Sequence, residues 1–218
     1  MPVILKIERP DGQRTAVWEL KEDEYSLLDL ASLSEADRGS FSKISNPGRR
    51  LEWLAVRVLL KEFYHLQPSI DYNENGKPIL VNHNDKISIS HSGRMVGISL
   101  HSSKSPGIDV EMLNPRIYKI ANRFLSEKEK AGLGDTPSVE QLTVIWGAKE
   151  VMFKVYEHGG ITFKDDFYVE PFAKSTKGSL MGIITKDNQT IHIPMEYMQI
   201  GDFMLVQTDY SQQDSEKN

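Results

Sequence analysis

The alternation in Pro106–Met112 constrains this chain more than any other stretch. Ile108 and Val110 alternate with Asp109 and Glu111, and on a strand a period of two sends both apolar side chains to one face and both carboxylates to the other. A second stretch, Trp146–Val155, has the period of a helix. Ile145, Ala148, Val151, Met152 and Val155 recur as a core-facing stripe, while Glu150 and Lys154 stand four apart on one face. Brought near one another, Asp109, Glu111 and Glu150 would repel by roughly 4 kcal/mol per pair at about 4 Å and an effective dielectric of about 20. A cation is their natural partner, and Mg²⁺ is the first expectation, because it takes oxygen ligands and bridges carboxylates to substrate phosphates. Taken singly, each pattern also has an ordinary reading. A D-x-E strand is commonly a solvated face, and a Glu/Lys pair at i,i+4 adds about 0.2–0.5 kcal/mol to a helix and nothing else.

With 218 residues, 39% hydrophobic and 26% charged, the chain has the composition of a soluble globular protein and is long enough to bury a core without metals or disulfides. It contains no cysteine, which excludes disulfide frameworks, thiolate metal sites and cysteine nucleophiles. The opening MPVILKIERP lacks a basic start and a long apolar core, and is expected to be a first strand, not a signal peptide. No apolar run approaches the roughly 18–20 residues that span a bilayer. The expected localisation is cytoplasmic, with no membrane partner. A net charge of −5 argues against general nucleic-acid binding, although Arg49 and Arg50 stand together and Arg116, Lys119 and Arg123 recur at three and four.

In chain order, residues 3–8 and 15–18 read as strands around Pro10-Asp11-Gly12. Leu20–Leu30 has helical spacing, and Ser34 caps a further helix. The clearest amphipathic pattern runs from Arg49 to Leu66. Two arginines at its start oppose the helix dipole unless an anion sits there, and a phosphate would relieve that. Asn73–Pro78 is a turn presenting Lys77. Ile87–Ser92 and Val96–His101 form a hairpin through Ser92-Gly93-Arg94. Residues 114–133 read as helix, broken at Leu125-Ser126, where Ser126 and Glu129 make a capping box. A helix over 138–155 follows, and then four strands, with Lys186–Gln189 as a turn. The fold class is α+β, with two similar α/β lobes at 1–102 and 103–209 and a disordered tail at 210–218.

Four motifs, Gly76-Lys77-Pro78, Ser88–Gly93, Gly107–Glu111 and Trp146–Lys154, stand in an order and spacing that resembles the 4′-phosphopantetheinyl transferase superfamily, specifically the surfactin-synthetase type. The resemblance runs from the helix near Leu33 to the last strands. It implies a pseudo-twofold monomer with coenzyme A and Mg²⁺ in the cleft between its lobes. Asp109, Glu111 and Glu150 would hold Mg²⁺ against the pyrophosphate. Lys154, and His91 with Ser90, would contact phosphate oxygens, and Gly76, Lys77 and Pro78 would line the adenine side. The reaction implied is transfer of 4′-phosphopantetheine from coenzyme A to a serine of an apo carrier protein, releasing adenosine 3′,5′-bisphosphate. Glu150 would take the serine proton, directly or through a bound water, while Lys154 would stabilise charge on the phosphate, with His91 beside it. The family has a basic residue near the start of the first long helix to grip the 3′-phosphate. Here Glu52 stands at that position, leaving Arg49, Arg50 or Arg57 to substitute. Carrier proteins present an acidic helix, so Arg116, Lys119 and Arg123 are the expected docking surface. Two other readings compete. One is a coenzyme A or carrier-binding module without transfer activity, and the other is a Mg²⁺-dependent phosphohydrolase.

Overall fold

A computed structural model describes residues 3–156 and 159–211. The chain divides into two compact units, the first ending at Pro106 and the second opening at Gly107. Each is a mainly antiparallel sheet with a long helix packed on it, so the fold is α+β as its sequence pattern implies.

In the first unit, β1 (Val3–Glu8) and β2 (Arg14–Glu19) pair across the Asp11-Gly12 turn. Helices α1 (Glu24–Ala31), α2 (Glu35–Phe41) and α3 (Pro47–Leu60) follow, and then β3 (Ile70–Tyr72), β4 (Pro78–Leu80), β5 (Lys86–Ser92) and β6 (Met95–His101). The strand order is β1-β2-β6-β5-β4-β3. Ser34 caps α2 by accepting from the Asp37 amide at 3.1 Å, as its position predicts. Asn46 caps α3 in the same way, with Pro47 in the first turn, where a missing N–H costs nothing. Leu54, Ala55, Val58 and Leu59 of α3 join Trp18, Ile87, Val96 and Ile98 in one core.

The helix stops at Leu60, short of the Leu66 that periodicity suggests. Beyond it the amides of Lys61, Glu62 and Phe63 bond three residues back, tightening the last turn. Tertiary partners take the next side chains. The Lys61 ammonium donates to the Leu30 carbonyl and the Ser32 hydroxyl, and the Tyr64 hydroxyl donates to Asp85.

The second unit contains β7 (Ile108–Met112), a 3-10 turn (Pro115–Lys119), α4 (Ala121–Phe124), α5 (Glu127–Leu133) and α6 (Val139–Val155). The strands β8 (Phe167–Val169), β9 (Lys177–Lys186), β10 (Gln189–Ile200) and β11 (Phe203–Thr208) complete it. The order is β7-β11-β10-β9-β8, with every neighbouring pair antiparallel. Ser126 and Glu129 form the expected capping box. The region before it is broken once more than expected, at Ile120, which separates the 3-10 turn from α4. Asp187 and Asn188, both with positive φ, make the tight turn between β9 and β10. Of the tail expected at 210–218, Tyr210 is buried, and residues 212–218 lie outside the described residues.

Candidate functional site

The second unit gathers the acids and the lysine singled out in the sequence. β7 is an edge strand paired with β11, and α6 packs across both. Two glycines permit that approach. A Cβ on Gly107 would fall 2.7 Å from Val151 Cγ1 and 3.0 Å from the Val151 carbonyl oxygen. One on Gly147 would fall 2.9 Å from Val206 Cγ2 and 3.4 Å from Asp109 Oδ2. Helix and strand thus lie closer than a pair of alanines would allow.

The face of β7 turned toward α6 is the carboxylate face. Lys154 Nζ donates to Asp109 Oδ1 at 2.9 Å and to the Ile108 carbonyl at 2.8 Å. Trp146 Nε1 donates to Glu111 Oε1 at 3.3 Å. Asp109 is only 4% exposed, so this is a lined interior and not the solvated face of an ordinary D-x-E strand. Glu150 lies on α6 between Trp146 and Lys154. Burial, and then the charge of Asp109, push its carboxyl from 4.5 up to about 7; Lys154 opposes the shift and Glu111 adds to it.

The donor chemistry fits a hard divalent cation. All three acids offer oxygen, and the charges of Asp109 and Glu111 add to burial in raising the Glu150 carboxyl, a repulsion that a cation would relieve. As they stand, the side chains do not form a closed cage. Among the described residues no three His, Asp or Glu side chains are gathered as a metal site. Lys154 instead supplies the positive charge beside Asp109.

Sequence reasoning missed Lys149. It is fully buried, and its ammonium donates to Glu129 Oε2 at 2.7 Å and to the carbonyls of Phe124, Phe163 and Phe167 at 2.7, 2.9 and 2.9 Å. Burial lowers its pKa, and Glu129 counters that shift. Glu129 is more than the capping residue its spacing suggests, because it also accepts from the Val169 amide at 2.9 Å. The available signal was a lysine one position after Ala148, inside the apolar stripe.

The residues expected of the first unit separate. Arg49 Nη1 lies 2.6 Å from His91 Nε2 and 3.3 Å from Glu52 Oε2, and His91 Nδ1 lies 3.3 Å from Glu52 Oε1. Arg50 makes a two-point contact with Glu24, at 2.7 and 2.6 Å. Arg57, proposed from the sequence as a phosphate ligand, is a core residue instead. It is 2% exposed, lies 3.4 Å from Asp37 Oδ1, and stacks with its guanidinium carbon 3.2 Å from the Trp53 ring centroid. Burial lowers its pKa to about 10.

Ser90 and His91 are successive residues of β5, so they point to opposite faces; Ser90 is buried and His91 is exposed. Gly76, with φ of 75°, closes a turn built on Asn73, whose side chain accepts from the Lys77 amide at 2.9 Å. Lys77 Nζ donates to Ser105 Oγ at 2.6 Å, and Pro78 begins β4. Arg116 and Lys119 on the 3-10 turn and Arg123 on α4 are all exposed. No helix among the described residues is long and apolar enough to cross a membrane.

Residues 105–199 match the model of the 4′-phosphopantetheinyl transferase superfamily. The chain is similar to the 4′-phosphopantetheinyl transferase AcpT of Escherichia coli (strain K12), with 33% identity over 118 residues, covering 51% of this chain and 60% of that protein. AcpT of Salmonella typhimurium matches over the same shares. A 4′-phosphopantetheinyl transferase of Bacillus subtilis is 30% identical over 131 residues, covering 53% of this chain and 58% of that protein. The matched regions thus span under two thirds of these curated relatives. The segment that carries Asp109, Glu111, Glu150 and Lys154 is thus the one that matches the 4′-phosphopantetheinyl transferase superfamily, the family that its motifs resemble.

Proposed function

We propose that this protein transfers 4′-phosphopantetheine from coenzyme A to a serine hydroxyl of an apo carrier protein, releasing adenosine 3′,5′-bisphosphate. The observation that carries this reading is the meeting of Asp109, Glu111, Glu150 and Lys154 on facing elements, within the segment that matches the family. The similarity to relatives that are 4′-phosphopantetheinyl transferases supports the same reaction. In this reading Asp109, Glu111 and Glu150 hold Mg²⁺. Bound there, Mg²⁺ supplies charge neutralisation and orientation of the pyrophosphate.

Glu150 takes the serine proton. Burial and the charge of Asp109 raise its carboxyl before a cation binds, and a bound cation would lower it again, so its basicity is set by both. The serine oxygen forms a bond to the phosphorus that carries pantetheine, and the bond from that phosphorus to the bridging oxygen breaks. The electron pair leaves with adenosine 3′,5′-bisphosphate. Lys154, beside Asp109, offsets charge gathering on the phosphate oxygens. Arg49 with His91 is the phosphate-binding pair of the first unit, and Gly76, Lys77 and Pro78 meet the adenine. A cytoplasmic monomer acting on a soluble carrier completes the reading.

The deciding experiment is intact mass of an apo carrier after incubation with this protein, coenzyme A and Mg²⁺, beside a Glu150→Ala sample. A gain of one phosphopantetheine with the wild type and none with the variant is expected. No gain on several unrelated carriers, with coenzyme A still bound, overturns the transfer. Reversing the charge of two of Arg116, Lys119 and Arg123 is expected to raise KM for the carrier several-fold while leaving KM for coenzyme A alone. An unchanged carrier KM removes the docking assignment.

A further inference from the structure

The ammonium of Lys149 binds three backbone carbonyls, and all three belong to phenylalanines: Phe124, Phe163 and Phe167. Two of those rings flank one indole. Phe124 meets Trp146 edge-on with centroids 5.3 Å apart, and Phe163 packs against Trp146 at 5.6 Å. Phe167 backs Phe163 at 5.3 Å. Trp146 in turn donates to Glu111. A single buried cation therefore gathers the backbone of the three segments whose rings seat Trp146. It reaches across from α6 to the end of α4, to the segment before β8, and to β8 itself.

We infer that Lys149 is a positioning residue, which orients the Glu111 carboxylate by fixing the aromatic seat of Trp146. Three features separate this from a lysine that merely neutralises Glu129. Glu129 takes one of the four bonds, and the rest go to carbonyls. Those carbonyls come from two stretches remote in sequence, the end of α4 at Phe124 and the lead into β8 at Phe163 and Phe167, which nothing in local propensity would bring together. The path from Nζ to Glu111 is also continuous, running carbonyl, ring, indole and carboxylate with a direct contact at each step. Where Glu111 acts as a cation ligand the inference rests on the function proposed above; the positioning itself does not.

The test reads the Trp146 indole N–H directly. In the ¹⁵N-labelled protein its cross-peak is assigned by Trp146→Phe, and its solvent exchange is measured without metal. Lys149→Met combined with Glu129→Gln removes both charges together, so that neither is left buried alone. In that variant the indole N–H is expected to shift and its exchange protection to fall by about tenfold or more, consistent with loss of a bond of about 1.5 kcal/mol to a charged acceptor. Phe163→Leu keeps the Lys149 carbonyl contact but removes the ring that backs the indole, and it is expected to produce the same change. A folded double variant with an unmoved, still protected indole overturns the inference. If the double variant does not fold, Phe163→Leu decides alone, and an unmoved indole there overturns it equally.

Calorimetric titration with Mg²⁺ alone supplies a second readout. Binding is expected to weaken about tenfold in either variant, and Trp146→Phe is expected to add little when combined with the double variant, because both act on one path. Full additivity counts against the path. A wild type that binds no Mg²⁺ removes the metal reading and leaves the indole result to judge the positioning.

Discussion

Helix α3 in the first unit and helix α6 in the second each carry ionised side chains, and they settle them in opposite ways. On α3 each arginine has its own carboxylate: Arg49 has Glu52, Arg50 has Glu24, and Arg57 has Asp37. On α6 one cation, Lys149, is matched in the same manner by Glu129, but Asp109 and Glu150 share the other, Lys154, with Glu111 adding its charge to theirs. The first arrangement is electrically closed and stabilises a fold. The second leaves negative charge in excess, and that excess adds to burial in raising the pKa of Glu150. Chemistry is expected where the matching fails, because a group whose proton is loosely decided is one that can give or take it.

The largest expected effect tests that contrast at its sharpest. Glu150→Gln, which keeps the shape and removes the charge, should lower the transfer rate by about 10²–10⁴-fold, with the fold intact by circular dichroism. A loss of that size from Glu52→Gln, and little from Glu150→Gln, would reverse the roles assigned to the two helices.

Next come the matched cations. Lys149→Met leaves Glu129 buried without its ammonium, and Arg57→Met does the same to Asp37; each should cost about 3–5 kcal/mol in urea denaturation. Adding Glu129→Gln or Asp37→Asn to the respective variant should return part of that loss, since the stranded charge is then gone.

Protonation sharpens the comparison further. The Glu150 carboxyl titrates at about 7 in the folded protein, against 4.5 for the ordinary group. Between those values the native state holds more protons than the unfolded chain, so this group's contribution to stability falls as pH rises from 4.5 to 7 and is level above it. Urea midpoints across that window should decline in the wild type and flatten in Glu150→Gln. The smallest effect is expected from Glu52→Gln itself. It loosens a half-exposed set with Arg49 and His91 and should shift stability by less than about 1 kcal/mol.

Much of the scaffold was legible in residue order. The period of two in Ile108–Glu111 gave a strand with its acids together, and serine followed three residues later by glutamate gave the cap of α5. The Asp187-Asn188 turn was legible from composition. What could not be read was what side chains do at a distance. Nothing local says that Lys149 crosses to three carbonyls, or that Arg57 is stacked and buried while Arg49 beside the same helix start stays open. The end of α3 was hidden for the same reason, since Lys61 and Tyr64 are claimed by residues remote in sequence. Ser90 and His91 are neighbours on a strand, and the alternation that pairs Asp109 with Glu111 also sets these two on opposite faces.

The absent methyl groups at Gly107 and Gly147 have a further bearing on the acids. They make the gap between the two backbones a gauge, ground to size by what the side chains lack. Rotamers can adjust a carboxylate by turning it, but an added carbon at Gly107 would press on the Val151 carbonyl of the helix backbone, and one at Gly147 on the Val206 side chain beside Asp109. A single added carbon at either position would therefore widen the setting for Asp109, Glu111 and Glu150 together, detuning all three by one stroke.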